Sequence, residues 1–203
     1  MHSSIYLASR SPRRRDLLKQ LGVKFDPLLL RLSGPRGTDI DETQRPGEPA
    51  ADYVHRTACE KAAFGLRVLG MRSMVNRPVL AADTVVIVDG EVLGKPADRV
   101  EAELFIKRLS GRTHEVRTVV ALAMEGPVMS ETSVSSVTFR AVTDDEAQRY
   151  CATSEPYDKA GGYGIQGLAA LFIERIEGSY TGVMGLPLFE TGRLLSHAGI
   201  KLL

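Results

Sequence analysis

Val79-Leu80-Ala81-Ala82-Asp83-Thr84-Val85-Val86-Ile87-Val88-Asp89-Gly90 is an apolar run broken only at Asp83-Thr84. Residues 79–82 and 85–88 read as β-structure. Asp89-Gly90 is a hairpin signal, because a tight primed turn needs residues that tolerate positive φ. Toward the N-terminus, residues 50–69 read as a helix with Val54, Ala58 and Ala62 on one stripe. Residues 31–49 are rich in Gly, Pro, Arg and Asp and read as a loop. Residues 12–21 read as a helix, with Ser11 suited to the N-cap, Pro12 to the first helical position and Gly22 as a stop. Leu17, Leu18 and Leu21 supply its apolar face, and residues 5–8 ahead of it read as a short strand. Toward the C-terminus, Asp98 with Glu101 reads as a capping box for a helix ending at Ser110-Gly111. Residues 115–123 and 134–142 read as strands, and Thr143 with Glu146 as a second capping box. A glycine-rich loop precedes a strand at 171–176, and residues 187–197 form a last helix stopped by Gly199. Strands and helices alternate, with hairpins among them. This predicts an α/β fold: one domain over residues 1–203, with a central mixed, twisted sheet flanked by helices.

Apolar residues make up 43% and charged residues 25% of 203 positions, a globular balance far from that of a disordered chain. A chain of this length buries roughly 70% of its unfolded surface, so its core needs neither disulfides nor a structural metal. Twenty-six Lys and Arg stand against 25 Asp and Glu, net +1. Neither sign dominates, which argues against a whole-surface nucleic-acid or membrane binder and leaves room for a local basic patch. Cys59 and Cys151 are too few for a disulfide scaffold, and His2, His55, His114 and His197 show no zinc spacing. The basic cluster follows the first short apolar run, the reverse of a secretory signal, and no segment approaches the ~20 apolar residues of a membrane span. The expectation is a cytoplasmic protein, with neither nucleic acid nor membrane as partner.

Three stretches carry chemistry. In Ser9-Arg10-Ser11-Pro12-Arg13-Arg14-Arg15, three arginines fall in the first turn of the predicted helix. That end already carries about +0.5 charge, so each cation there costs a few tenths of a kcal/mol. The cost makes sense if an anion binds, since helix N–H groups, serine hydroxyls and arginine forks suit a phosphate chain. A solvated basic face is the plain alternative. Asp83, beside Thr84 in the apolar run, is expensive to bury unless it is paired or holds a metal. It reads either as a strand-end acid bonded locally or as a base or metal ligand near Lys95 of Gly94-Lys95-Pro96. The third stretch, Asp158-Lys159-Ala160-Gly161-Gly162-Tyr163-Gly164-Ile165-Gln166-Gly167, contains a literal G-x-G-x-x-G. It lacks the strand before and helix after that a dinucleotide fingerprint requires. A mobile glycine loop fits it better, with backbone that approaches a ligand closely and Gln166 facing a base edge. Asp41-Glu42 in the long loop, and Lys61 one turn beyond Thr57, read from the sequence alone as ordinary exposed charges.

Together these stretches resemble the Maf family. The resemblance rests on Leu7-Ala8-Ser9-Arg10-Ser11-Pro12-Arg13-Arg14, Ala82-Asp83-Thr84-Val85-Val86, Leu93-Gly94-Lys95-Pro96 and the segment from Asp158 to Gly167. Ile176-Glu177-Gly178-Ser179-Tyr180 and Gly185-Leu186-Pro187-Leu188 extend it over nearly the whole chain. Maf proteins are nucleoside triphosphate pyrophosphatases that cleave between the α- and β-phosphates with a divalent metal, giving a monophosphate and pyrophosphate. Arg13, Thr84 and Gln166 are similar to the branch acting on dTTP and UTP rather than the branch acting on 7-methyl-GTP.

The resemblance implies a nucleotide cleft between two lobes, a divalent cation such as Mg, Mn or Co, a nucleoside triphosphate substrate and a homodimer. It implies that Asp83 acts as general base or metal-organising carboxylate, that Glu42 helps hold the metal, and that Lys61 and Lys95 join Asp83 in catalysis. Ser9, Arg13 and Arg14 would bind phosphate, and Thr84 and Gln166 would read the base. Lys159 would contact phosphate or anchor its own loop. Arg31-Leu32-Ser33-Gly34-Pro35-Arg36-Gly37 makes the loop before Asp41-Glu42 longer than the family pattern, which leaves open whether Asp41 or Glu42 serves the metal. Two other function classes stand beside this one: a non-catalytic nucleotide-binding regulator of septum formation, and an NAD-dependent oxidoreductase suggested only by the glycine pattern.

Overall fold

The apolar run forms one strand, β3 (Val79–Val88), in a computed structural model that describes residues 4–30 and 40–202. The reading of residues 31–39 as loop, including the long Arg31–Gly37 stretch, lies outside the described residues. Asp89 and Gly90 both take positive φ, 53° and 78°, and return the chain antiparallel as β4 (Glu91–Leu93), with Val86 opposite Leu93. On the other side of β3 lies β1 (Ile5–Leu7), parallel, with Tyr6 opposite Val79. β1 in turn pairs parallel with β2 (Phe25–Pro27), a three-residue strand with no apolar pattern of its own. Beyond β3 come β5 (Thr113–Ala123), β6 (Met129–Phe139) and β7 (Ile173–Glu177), the last antiparallel to β6. The sheet order is β2-β1-β3-β5-β6-β7 with β4 against β3: a mixed, seven-stranded sheet in an α/β fold.

The helices are α1 (Pro12–Gln20), α2 (Ala50–Met71), α3 (Arg99–Leu109), α4 (Asp144–Cys151), α5 (Tyr180–Val183) and α6 (Leu188–His197). Pro12 opens α1 as expected, but the Ser11 side chain makes no capping bond. In the first predicted capping box, Asp98 accepts from the Glu101 N–H at 2.9 Å, while the Glu101 carboxylate turns to the N–H of Ala97 at 2.7 Å. The Thr143–Glu146 box closes in both directions. β6 begins at Met129 rather than 134, because pairing in the sheet overrides the polar composition of residues 129–133. It ends at Phe139, where the Arg140 guanidinium binds Leu171 O and Glu146.

The contacts group into two compact units. One comprises Met1–Asp83, Thr118–Ser133 and Gly185–Leu203, and its fully buried side chains include Ile5, Leu18, Leu80, Leu122 and Leu195. The other comprises Thr84–Arg117 and Val134–Met184, with a core that includes Val86, Ile106, Phe139, Tyr163 and Phe172. No helix among the described residues is long and apolar enough to cross a membrane.

Candidate active site

In the first unit, α2 and β3 bring the charges together. Gly65 of α2 packs on β3 so closely that a Cβ there would sit 2.7 Å from Val79 Cγ1. Lys61 lies one turn before Gly65 on the same helix face, and Asp83 lies four residues after Val79 on the same strand face. Close packing at one end of this pair therefore brings Lys61 Nζ to 2.8 Å from Asp83 Oδ1 at the other. The same ammonium lies 2.9 Å from Glu42 Oε2. Lys61 is buried, and the Asp83 side chain is 15% exposed. The burial cost that singles out Asp83 in the sequence is thus met by an ion pair.

The side chains of Asp41 and Glu42 take different directions from the loop. Asp41 turns away and accepts from the Thr43 N–H at 2.9 Å, which holds its carboxyl below the usual range. Glu42 reaches Lys61. Tyr53, which the sequence reading missed, stands two turns before Lys61 on α2 and donates to Glu42 O at 2.9 Å. Burial, together with the nearby charges of Asp83 and Glu42, pushes its phenol up to about 12. Tyr53, Thr57 and Lys61 form a stripe at i, i+4 and i+8, the one signal that would have found Tyr53.

Arg14 joins this cluster. Its Nε donates to Gly185 O at 2.7 Å, and a second nitrogen lies 3.4 Å from the Ser9 hydroxyl. Burial lowers the Arg14 guanidinium from its usual value, and Asp83 and Glu42 pull it back up. Arg13 is half-buried in the same helical turn, and no acid occupies that turn. Ser9 also accepts from the Ser11 N–H at 3.2 Å. A separate groove of about 740 Å³, lined by Arg15, Lys19, Lys24 and Phe25 among others, contains none of the predicted site residues.

In the second unit, the glycine segment folds as short 3-10 turns at Pro156–Asp158, Ala160–Gly162 and Leu168–Leu171. It is pinned rather than loose, which corrects the expectation of a mobile loop. Gly161, at φ 69°, packs on Val86 where a Cβ would sit 2.8 Å from Cγ2, and its N–H donates to Gly94 O at 2.9 Å. The Glu155 carboxylate accepts from the N–H groups of Leu168 and Ala169 at 2.7 and 3.2 Å, and a Cβ on Gly167 would collide with it. These glycines serve internal packing, and the strand–loop–helix context of a dinucleotide site does not form here. Lys159 anchors the loop, donating to Glu155 O and Asp158 Oδ1 at 2.6 Å each. Gln166 and Lys95 are exposed, and Thr84 is half-buried beside Asp83.

Glu42 and Asp83 fit a divalent ion. Two carboxylates already converge on one cation, and Lys61 takes one oxygen of each. Small hard cations bind through one or two carboxylates completed by substrate phosphates. No group of three His, Cys, Asp or Glu side chains suited to a closed cage occurs among the described residues. Two acids, a buried lysine and a half-buried arginine on a helix N-terminus make an arrangement that can hold a polyphosphate and activate water beside it.

An α/β chain with a mixed sheet and this carboxylate–lysine–arginine cluster belongs to a recognisable class of protein. The family model described as Maf-like protein matches residues 4–198, and the chain belongs to the Maf family. A dTTP/UTP pyrophosphatase of Aromatoleum aromaticum is 54% identical over 100% of this chain and 98% of its own length. One from Bordetella parapertussis is 55% identical over 97% and 93%, and one from Dechloromonas aromatica 49% over 97% and 98%. Among solved structures, that of the Staphylococcus aureus Ham1 protein overlaps 67% of this chain and 71% of its own, with 16% identity and a TM-score of 0.46.

Proposed function

We propose that the protein hydrolyses dTTP and UTP to the monophosphate and pyrophosphate. The observation that carries this is the convergence of Glu42 and Asp83 on Lys61, in a chain whose relatives bear the name dTTP/UTP pyrophosphatase over nearly their full length. Asp83 takes a proton from the attacking water as its oxygen bonds the α-phosphorus, and the bond from the α-phosphorus to the bridging oxygen breaks to release pyrophosphate. Arg13, Arg14, Lys61 and Lys95 neutralise charge on the phosphates and the leaving group, Ser9 donates a hydrogen bond, and Lys159 stiffens its loop. Positioning and charge stabilisation then supply most of the acceleration. A divalent cation held by Glu42 and Asp83 supplies further charge neutralisation when bound. Thr84 and Gln166 read the base: a planar amide pairs with a carbonyl and the adjacent ring N–H of uracil or thymine.

The test is kcat/KM for dTTP, UTP, CTP, ATP and GTP with Mg, Mn or Co, following both products. We expect dTTP and UTP to lead, CTP to trail, and purines to be poor. Equal values for ATP and dTTP would sink the pyrimidine assignment, and tight binding without pyrophosphate release would favour a regulator. The reading includes a homodimer located in the cytoplasm, checked by light scattering and cell fractionation.

A further inference from the structure

Residues 40–49 contain neither helix nor strand, so their backbone groups need partners from elsewhere. Three consecutive carbonyls here are taken by two side chains of α2. Arg56 Nη1 lies 3.4 Å from Asp41 O, Tyr53 Oη 2.9 Å from Glu42 O, and Arg56 Nη2 3.0 Å from Thr43 O. The guanidinium is itself fixed, with Nε and Nη2 on the two oxygens of Glu48 at 2.7 and 2.9 Å and Nη1 on Glu60 at 3.2 Å. A guanidinium has five N–H donors, and these five bonds use them all. Arg56 and Glu48 side chains are 14% and 10% exposed. Glu48 also accepts from the Arg45 N–H, and Gln44 donates to Glu48 O, closing the loop on itself. At the centre of the three held carbonyls stands Glu42, whose carboxylate meets Lys61.

We infer that Tyr53 and Arg56 form a clamp whose role is to position Glu42 against Lys61 and Asp83, making both positioning residues for the reaction. The inference rests on the site reading above. A lysine cannot replace Arg56, because an ammonium has three donors and no planar fork.

The test is a double-mutant cycle on the full-length protein, with Arg56→Met, Arg56→Lys and the milder Tyr53→Phe, each made alone and with Glu42→Gln. Turnover of dTTP, the half-activating Mn concentration and hydrogen exchange over residues 40–49 are measured. Displacing Glu42 by about an ångström would lower kcat by roughly ten- to a hundred-fold. We expect that loss in both Arg56 variants and a smaller one in Tyr53→Phe, with a raised half-activating Mn concentration and faster exchange in the loop. In the Glu42→Gln background the same changes should cost less than about two-fold, since there is no carboxylate left to position. Equal losses in both backgrounds would overturn the clamp, as would loop exchange unchanged by Arg56→Met. Wild-type turnover by Glu42→Gln would instead overturn the site reading, and the exchange measurement would still report on the clamp by itself.

Discussion

Lys61 is the residue on which the site turns, because one ammonium serves two carboxylates. Lys61→Met keeps the length and removes the charge, leaving Asp83 and Glu42 without the ammonium they share and with Arg14 as the nearby cation. Breaking a buried pair this way costs about 3–5 kcal/mol, and the one-third exposure of Glu42 puts the expected value at the lower end. Asp83→Asn is expected to behave differently. Lys61 keeps Glu42, so the fold should persist, while loss of the proposed general base should lower kcat by about 10²–10⁴-fold. Urea unfolding and dTTP turnover on the two variants separate these effects. Near-normal turnover by a folded Asp83→Asn protein would remove Asp83 from the mechanism. Of these residues, Asp83 was legible in the sequence from its cost in an apolar strand. Glu42 could not be told from Asp41, because only the course of the loop distinguishes two neighbouring acids.

At the scale of elements, the contact of α2 with β3 sets the reach of Lys61, and Gly65 sets that contact. Ala at position 65 would gain about 1 kcal/mol of helix propensity. Against this stands a methyl 2.7 Å from the branched Val79 side chain, with overpacking worth about 1–3 kcal/mol. The clash should win: Gly65→Ala is expected to lower the melting temperature by a few degrees and to reduce kcat as α2 lifts from the strand. Adding Val79→Ala should recover turnover while leaving stability low. A Gly65→Ala protein with wild-type kcat would mean that helix–strand spacing does not limit the site. Both elements were legible from their patterns. Their spacing was not, because a mid-helix glycine looks like a weakness until its neighbour across the interface is known.

At the scale of the whole molecule, stability should carry the signature of His114. This side chain on β5 is 3% exposed, its Nε2 lies 2.7 Å from the Tyr163 hydroxyl, and its Nδ1 has no partner. Burial pushes it from 6.5 down to about 4. The folded protein therefore keeps His114 neutral where the unfolded chain takes up a proton. Its contribution is complete above about pH 6.5 and fades as pH falls toward 4. His114→Gln keeps a hydrogen-bonding group and cannot titrate. We expect the variant to be less stable at pH 7.5, with the gap to wild type narrowing by up to a few kcal/mol at pH 4.5, as urea titrations would report. A gap constant with pH would mean that His114 does not change protonation on unfolding.

The sequence by itself determined the alternating α/β pattern, the hairpin at Asp89-Gly90, the Thr143–Glu146 capping box and the cluster of arginines at the start of α1. Each of these is a local effect, decided by residues within a turn or a strand of one another. The motifs were also enough to find the family. The tertiary structure decided what depends on distant partners: the Gly185 carbonyl that holds Arg14 across 171 residues, the pairing of β2, and the clamp of Tyr53 and Arg56 on the loop of Glu42. It also decided that the glycine segment packs internally, which its small residues alone do not reveal. Val86, Gly94 and Glu155, brought against it by the fold, hold it there.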